Sequence, residues 1–100
     1  MNIDTFLHSL VPKLFKCVPL KQENQLTLTY LNSLMIEFNG ATETFPMLKA
    51  NSRFITIINT INYFRFNDIP FSILRKEIFK CISEVEKLII EIDKVGDNNV

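Results

Sequence analysis

The clearest pattern in this chain is the spacing of apolar residues near its C-terminus. From Phe71 onward they recur at steps of three and four, and no Gly or Pro interrupts them before Gly96. Such spacing places one row of side chains on one face of an α-helix. We therefore expect one long helix over about residues 70–95, with a core-facing row formed by Phe71, Leu74, Ile78, Cys81, Val85, Leu88, Ile92 and Val95.

Two more apolar residues, Ile82 and Ile89, lie beside that row and make it wider than the seam of a two-stranded coiled coil. The width predicts packing against at least two neighbouring helices, with a homodimer through this C-terminal helix as the alternative. The opposite side alternates acids and bases, which predicts a face turned to water. Its members are Glu77, Glu84, Glu91, Lys80, Lys87 and Lys94.

The N-terminal region also has helical spacing. Its apolar residues from 3 to 18 are Ile3, Phe6, Leu7, Leu10, Leu14, Phe15 and Val18. Pro12 interrupts this pattern and predicts a kink, or two short helices meeting near Val11. Pro19 is expected to end the element.

Residues 24–40 allow two interpretations. As a helix, they place Leu28, Leu31 and Phe38 on one side, and Asn39–Gly40 forms a left-handed stop. As a sheet, the alternation in "LTLTY" and a turn at Asn39–Gly40 predict an antiparallel meander at about 26–45. The helix covers more residues and is favoured, while the meander stays open.

The middle of the chain completes the predicted fold. Residues 41–52 contain Pro46 and no sustained periodicity, so they predict a connection held to the core by Phe45, Met47 and Leu48. A helix is expected to start near Ser52, and the 53–65 segment is the natural antiparallel neighbour of the long helix. The predicted fold is mainly α, a small bundle of three to four helices in one domain over 1–100, with 96–100 as a frayed tail; an α+β fold is the alternative.

Composition narrows the classes of partner and the compartment. Eleven basic and eleven acidic residues balance, so no overall field attracts nucleic acid or anionic lipid. Asp4 stands where a signal peptide carries positive charge, and no apolar run approaches the ~20 residues that span a bilayer. We expect a cytoplasmic protein, and the abundance of Ile, Asn, Lys and Phe suggests an AT-rich coding source such as a phage, a plasmid or a low-GC genome.

The chain offers little for catalysis. Cys17 and Cys81 have no close spacing, so buried reduced thiols are favoured over a disulfide, and no zinc site is expected. His8, the one histidine, lies nine residues before Cys17, about half a turn round the same helix. Two glycines cannot supply a Gly-rich phosphate loop. We predict no enzymatic activity, no cofactor and no metal.

Three apolar residues of the long helix lie outside its core-facing row. Phe79 and Ile90 fall on the side where the charges lie, and Ile73 could extend that surface toward the preceding turn. Single exposed apolar residues are common on monomeric proteins. If a partner protein binds this helix, these three are the residues we expect it to contact.

The stretch "SILRKEIFKCISEVEKLIIEIDKVG", Ser72–Gly96, resembles the helix-turn-helix of winged-helix regulators. The apolar positions of that motif match Leu74, Ile78, Val85 and Leu88. The resemblance implies a recognition helix from about Ser83 in the major groove, with bases contacted by Ser83, Glu84 and Lys87 and phosphates by Arg75, Lys76 and Lys80.

This chain departs from that family at the turn, where Phe79 replaces the usual Gly-like residue, and Glu84, Glu86 and Glu91 place like charge toward phosphates. Nucleic acid is therefore the less favoured partner. The leading hypothesis is a non-enzymatic module that binds another protein through a helical face, as an adaptor, a chaperone-like subunit, or an inhibitor or immunity factor of a mobile element. A helix-turn-helix DNA-binding regulator is the alternative.

Overall fold

The computed structural model describes residues 2–98, and their side chains as far as residue 94. Within this range the chain forms six helices and no strand. They are α1 (Ile3–Phe15), α2 (Cys17–Gln22), α3 (Leu28–Thr44), α4 (Pro46–Lys49), α5 (Ser52–Phe66) and α6 (Phe71–Asn98). The mainly α bundle with a long C-terminal helix is confirmed, and the meander at 26–45 is wrong, since those residues are largely helical.

The break in the N-terminal element lies at Lys16 and not near Val11. α1 continues through Pro12, whose ring lies on the exposed side of the helix. Pro19 explains the break, because it has no N–H for the Phe15 carbonyl and its ring crowds that group. It does not end the element, since α2 continues to Gln22.

α3 begins where Thr27 caps it, with its hydroxyl oxygen accepting from the Tyr30 N–H. The predicted stop at Asn39–Gly40 is wrong, because the helix passes through both residues to Thr44. Phe38 and Ala41 are buried on either side of this pair. Continuing the helix keeps both in phase with the core, and that burial outweighs the poor helix propensity of glycine.

The connection from 41 to 52 is mostly helical, since it contains the end of α3 and the single turn of α4. Leu48 is fully buried and Phe45 packs against the core, as predicted, but Met47 is 51% exposed. α5 starts at Ser52 as predicted, and the Asn51 side chain caps it by accepting from the Phe54 N–H.

α6 packs against α1, α2 and α5, so the wide apolar stripe does serve several neighbours. Ile82 and Ile89 are each only 8% exposed. The core-facing row is buried in the same interior at Leu74, Ile78, Cys81, Val85 and Leu88. A homodimer through that row would therefore have to unpack the monomer.

The C-terminal segment is described only in part. α6 extends to Asn98, whereas residues 99 and 100 lie outside the described range. The frayed tail expected at 96–100 thus falls partly beyond what the structure describes and stays a prediction.

Candidate functional site

The side-by-side packing of α1 and α6 leaves apolar side chains of both helices exposed along one surface. At one end, the rings of Phe15 and Phe79 lie with their centroids 6.1 Å apart. Both remain open to solvent, at 48% and 39% exposure. An aromatic pair that stays half exposed has hydrophobic surface left for another molecule to cover.

At the other end of the same two helices, Ile90 is 55% exposed and borders a shallow groove. Val11 and Pro12 of α1 line that groove together with Ile89 and Ile90. Phe15, near the C-terminal end of α1, thus contacts Phe79 in the N-terminal half of α6. Val11, one turn earlier on α1, lies beside Ile90 in the C-terminal half of α6. The two helices therefore run antiparallel along the whole surface.

Helix geometry explains why Phe79 and Ile90 share this side of α6. They are eleven residues apart, which is just over three full turns, so their directions differ by only about 20° and their separation along the axis is about 16 Å. The α1 residues Val11 and Phe15 form a parallel row four residues apart. We call this surface the α1–α6 face and define it by Val11, Pro12, Phe15, Phe79 and Ile90.

Charged groups border the α1–α6 face. The Arg75 guanidinium lies 4.8 Å from the Phe79 ring centroid, within cation–π range. At the other end, Glu86 and His8 border the groove beside Ile90. The face thus has a basic group at its aromatic end and an acidic group toward its aliphatic end.

Ile73 does not belong to the α1–α6 face. It is 51% exposed and lines a separate groove of about 430 Å³ between α5 and α6, together with Tyr63 and Phe64. Phe79 follows Ile73 by six positions, which turn the helix by about 240°, so the two side chains point in different directions. The structure therefore brings Phe79 and Ile90 together and leaves Ile73 apart.

The residues that the winged-helix resemblance assigns to DNA lie on a single helix. Because α6 is continuous from Phe71 to Asn98, there is no turn at Phe79, and the helix-turn-helix form of Ser72–Gly96 is wrong. Arg75, Lys76, Lys80 and Lys87 are exposed, and Ser83 is partly buried. Lys80 also approaches Glu77, at 3.4 Å.

The acidic row of α6 is paired differently from the sequence pattern. Arg53 of α5 donates from Nε to Glu91 at 2.6 Å and from Nη1 to Glu84 at 2.8 Å. These hydrogen bonds, with that to Glu91 as the largest cause, raise the pKa of Arg53. Two of the three acids therefore join α6 to α5, and only Glu77 has a lysine partner in the described ion pairs.

The two cysteines are free and buried, which confirms the prediction of reduced thiols. Burial, with a smaller effect of nearby Cys81, raises the pKa of the Cys17 thiol to about 12. Burial likewise raises the pKa of Cys81 to about 11. Thiols held in the neutral form are poor nucleophiles. Among the described side chains of residues 2–94, no three His, Cys, Asp or Glu groups lie together so as to hold a metal ion.

Sequence reasoning missed two residues of this region. Helical spacing groups Phe15 with the other apolar residues of the first helix, yet it lies on the exposed α1–α6 face. Its spacing of four from Val11 and of seven from His8 places these three residues on one side of α1, but the spacing does not tell which side α6 covers. Arg53 had no such signal, because its partners lie on another helix.

Comparison of the chain with protein-family models, with curated proteins and with solved structures gave no match. Of the helices that the structure describes, none is both long enough and apolar enough to cross a membrane.

Proposed function

We propose that this protein is a non-enzymatic module that binds another protein through the α1–α6 face. The observation that carries the proposal is the placement of Phe15, Phe79 and Ile90 on one two-helix surface while each stays well exposed. Burying large apolar side chains against a partner releases about 25 cal/mol per Å² of apolar area. Phenylalanine and arginine are also among the residue types enriched at protein interfaces.

The mechanism is occlusion or bridging by a preformed surface. Phe79 and Ile90 belong to a helix whose opposite side is buried in the core. The partner therefore meets a surface that is already ordered, and little conformational entropy is lost on binding. A rigid helical face of this kind suits an adaptor, a chaperone-like subunit, or an inhibitor or immunity factor of a mobile element.

We place this function in the cytoplasm. Two buried cysteines in reduced form are compatible with a reducing compartment, where structural disulfides are rare. The cysteines also contribute to the interior as small apolar residues, which is a structural role that requires no reactivity.

The test is affinity purification from the organism that carries this sequence, with matched baits. One bait is the wild-type chain, and the second is Phe79→Ser with Ile90→Ser. The control bait is Ile36→Ser with Phe66→Ser, which changes two side chains that are each 72% exposed and lie outside the α1–α6 face. We expect one protein to be retained by the wild type and the control and to be lost from the Phe79/Ile90 bait.

Equal retention by all three baits would contradict the proposal. The alternative function, a DNA-binding regulator, predicts instead that the chain retains duplex DNA in a salt-dependent manner. In that case DNA retention would be weakened by the triple variant Arg75→Ala, Lys76→Ala and Lys80→Ala. The substitutions Phe79→Ser and Ile90→Ser would leave it unchanged.

A further inference from the structure

We infer that the partner of the α1–α6 face is a second copy of this chain, paired with it antiparallel about a two-fold axis. This inference rests on the proposed function and names the partner of the same surface. The core-facing row of α6 is buried within the monomer, so the pairing uses the opposite, outward side of the helix. The residues on that outward side are complementary to the same residues taken in reverse order.

A stripe of six residues runs along the outward side of α6 next to α1. Successive members are three or four residues apart, so they remain on one side of the helix. In order, the stripe consists of Lys76, Phe79, Ser83, Glu86, Ile90 and Asp93.

The stripe matches its own reverse at every position. Reversal places Lys76 opposite Asp93 of the other copy, and Phe79 opposite Ile90. It also places Ser83 opposite Glu86, where a hydroxyl can donate to a carboxylate. All three pairs have the same midpoint, between residues 84 and 85. A two-fold axis through that point forms each contact twice, as an isologous interface requires.

The charges at the two ends of the stripe are available for this pairing. Lys76 and Asp93 are both exposed, and neither takes part in an ion pair within the described part of the chain. The other basic row, formed by Lys80, Lys87 and Lys94, lies about 70° further round the helix, on the side away from α1. The two-fold axis places this row at the same rim of the interface in both copies, where its charges are exposed to solvent and screened by salt.

The position of α1 extends the contact beyond one helix. A two-fold axis perpendicular to α6 and lying in the interface sets α6 against α6 and α1 against α1. The aromatic end of each copy, with Phe15 and Phe79, then meets the aliphatic end of the other, with Val11, Pro12 and Ile90. The chain has eleven basic and eleven acidic residues, so no net charge repels the two copies from each other.

The experiment exchanges the charges of Lys76 and Asp93 and then measures the mass of the protein in solution. Sedimentation equilibrium or light scattering is run on the wild type, on Lys76→Asp, on Asp93→Lys and on the double variant, up to the highest soluble concentration. Lys49→Asp, at an exposed position of α4, which packs against α3 and α5, is the control for net charge. Circular dichroism on every variant checks that the helices are retained.

We expect the wild type and Lys49→Asp to have twice the chain mass of 11.7 kDa. Each single exchange places like charges in both symmetric contacts and raises the dissociation constant by about tenfold or more. The double variant restores the opposite charges and recovers the dimer.

A wild type that stays monomeric, a dimer indifferent to Lys76→Asp, or a double variant no stronger than the singles would each overturn the inference. None of these outcomes decides the proposed function, because the bait comparison detects a partner of any kind. Equal retention by all three baits would instead overturn the proposed function. The measured mass would then still report whether the chain associates with itself.

Discussion

At the residue scale, burial keeps the Cys17 and Cys81 thiols from ionising and makes their side chains part of the packed interior. Both side chains are almost fully excluded from solvent, at 0% and 1% exposure. A thiolate without solvent is unfavourable, and so the folded chain retains both protons to pH values well above the ordinary 9.0. The same burial makes each thiol a small apolar contact between helices.

These thiols predict a loss of stability at alkaline pH. In the unfolded chain they ionise near pH 9.0, whereas the folded pKa values are about 12 for Cys17 and about 11 for Cys81. Above pH 9 the unfolded state therefore binds fewer protons than the folded state, and the free energy of unfolding falls as pH rises. Tyr30 acts in the same direction, since burial raises its pKa to about 12.

Urea unfolding at pH 8, 9, 10 and 11 measures this effect, and the transition midpoint should fall steadily above pH 9. The control is the variant Cys17→Ala with Cys81→Ala, which should be less stable at pH 8 but show a shallower decline. A midpoint that is constant or rises between pH 9 and 11 would be inconsistent with the buried thiols described.

Burial of individual residues was predictable where one helical row explains it. Leu74, Ile78 and Val85 follow from spacing alone, because each lies in a single apolar stripe. Phe15 does not, because it falls between two rows of α1 and only the position of α6 decides which side is covered. The partners of Arg53 were not predictable either, since a contact between α5 and α6 depends on how the two helices are packed.

At the element scale, prolines and glycine were the least predictable features. Pro12 and Pro19 both interrupt one apolar pattern, and local rules disfavour each in a helix interior. Only Pro19 coincides with a break, at Lys16, after which Cys17 and Val18 enter the core. The left-handed residue of the described chain is Asn24, with φ of 56°, in the turn before α3 and not at Asn39–Gly40.

Gly40 provides a test of this explanation. It lies inside α3 without positive φ, and a Cβ added there would meet nothing within 4 Å. Gly40→Ala should therefore raise the free energy of unfolding by about 0.5–1 kcal/mol, because alanine loses less backbone entropy on folding. Chemical denaturation of the variant beside the wild type measures the change.

The matched control is Ile36→Gly, at an exposed interior position of the same helix. It should lower stability by about 0.5–1 kcal/mol. If Gly40→Ala were destabilising, the helical conformation at Asn39–Gly40 would be in doubt, and a stop there would regain support.

At the scale of the whole molecule, periodicity predicted which side of each helix is buried but not which helices meet. That α5 lies antiparallel to α6 could be inferred from the short connection between them. That α1 lies along the other flank of α6 could not, because about fifty residues separate the two helices. The α1–α6 face exists only through that second contact, which is why Phe79 and Ile90 were predicted and their neighbour Phe15 was not.

Our proposal that the α1–α6 face binds another protein can be tested by site-specific photocrosslinking. Benzoylphenylalanine is introduced in place of Phe79, and in a control chain in place of Ile36, which is 72% exposed on α3. Both chains are irradiated in living cells and analysed by denaturing electrophoresis and mass spectrometry. We predict a discrete crosslinked protein from position 79 that position 36 does not form; no adduct from position 79, or the same adducts from both positions, would contradict the claim.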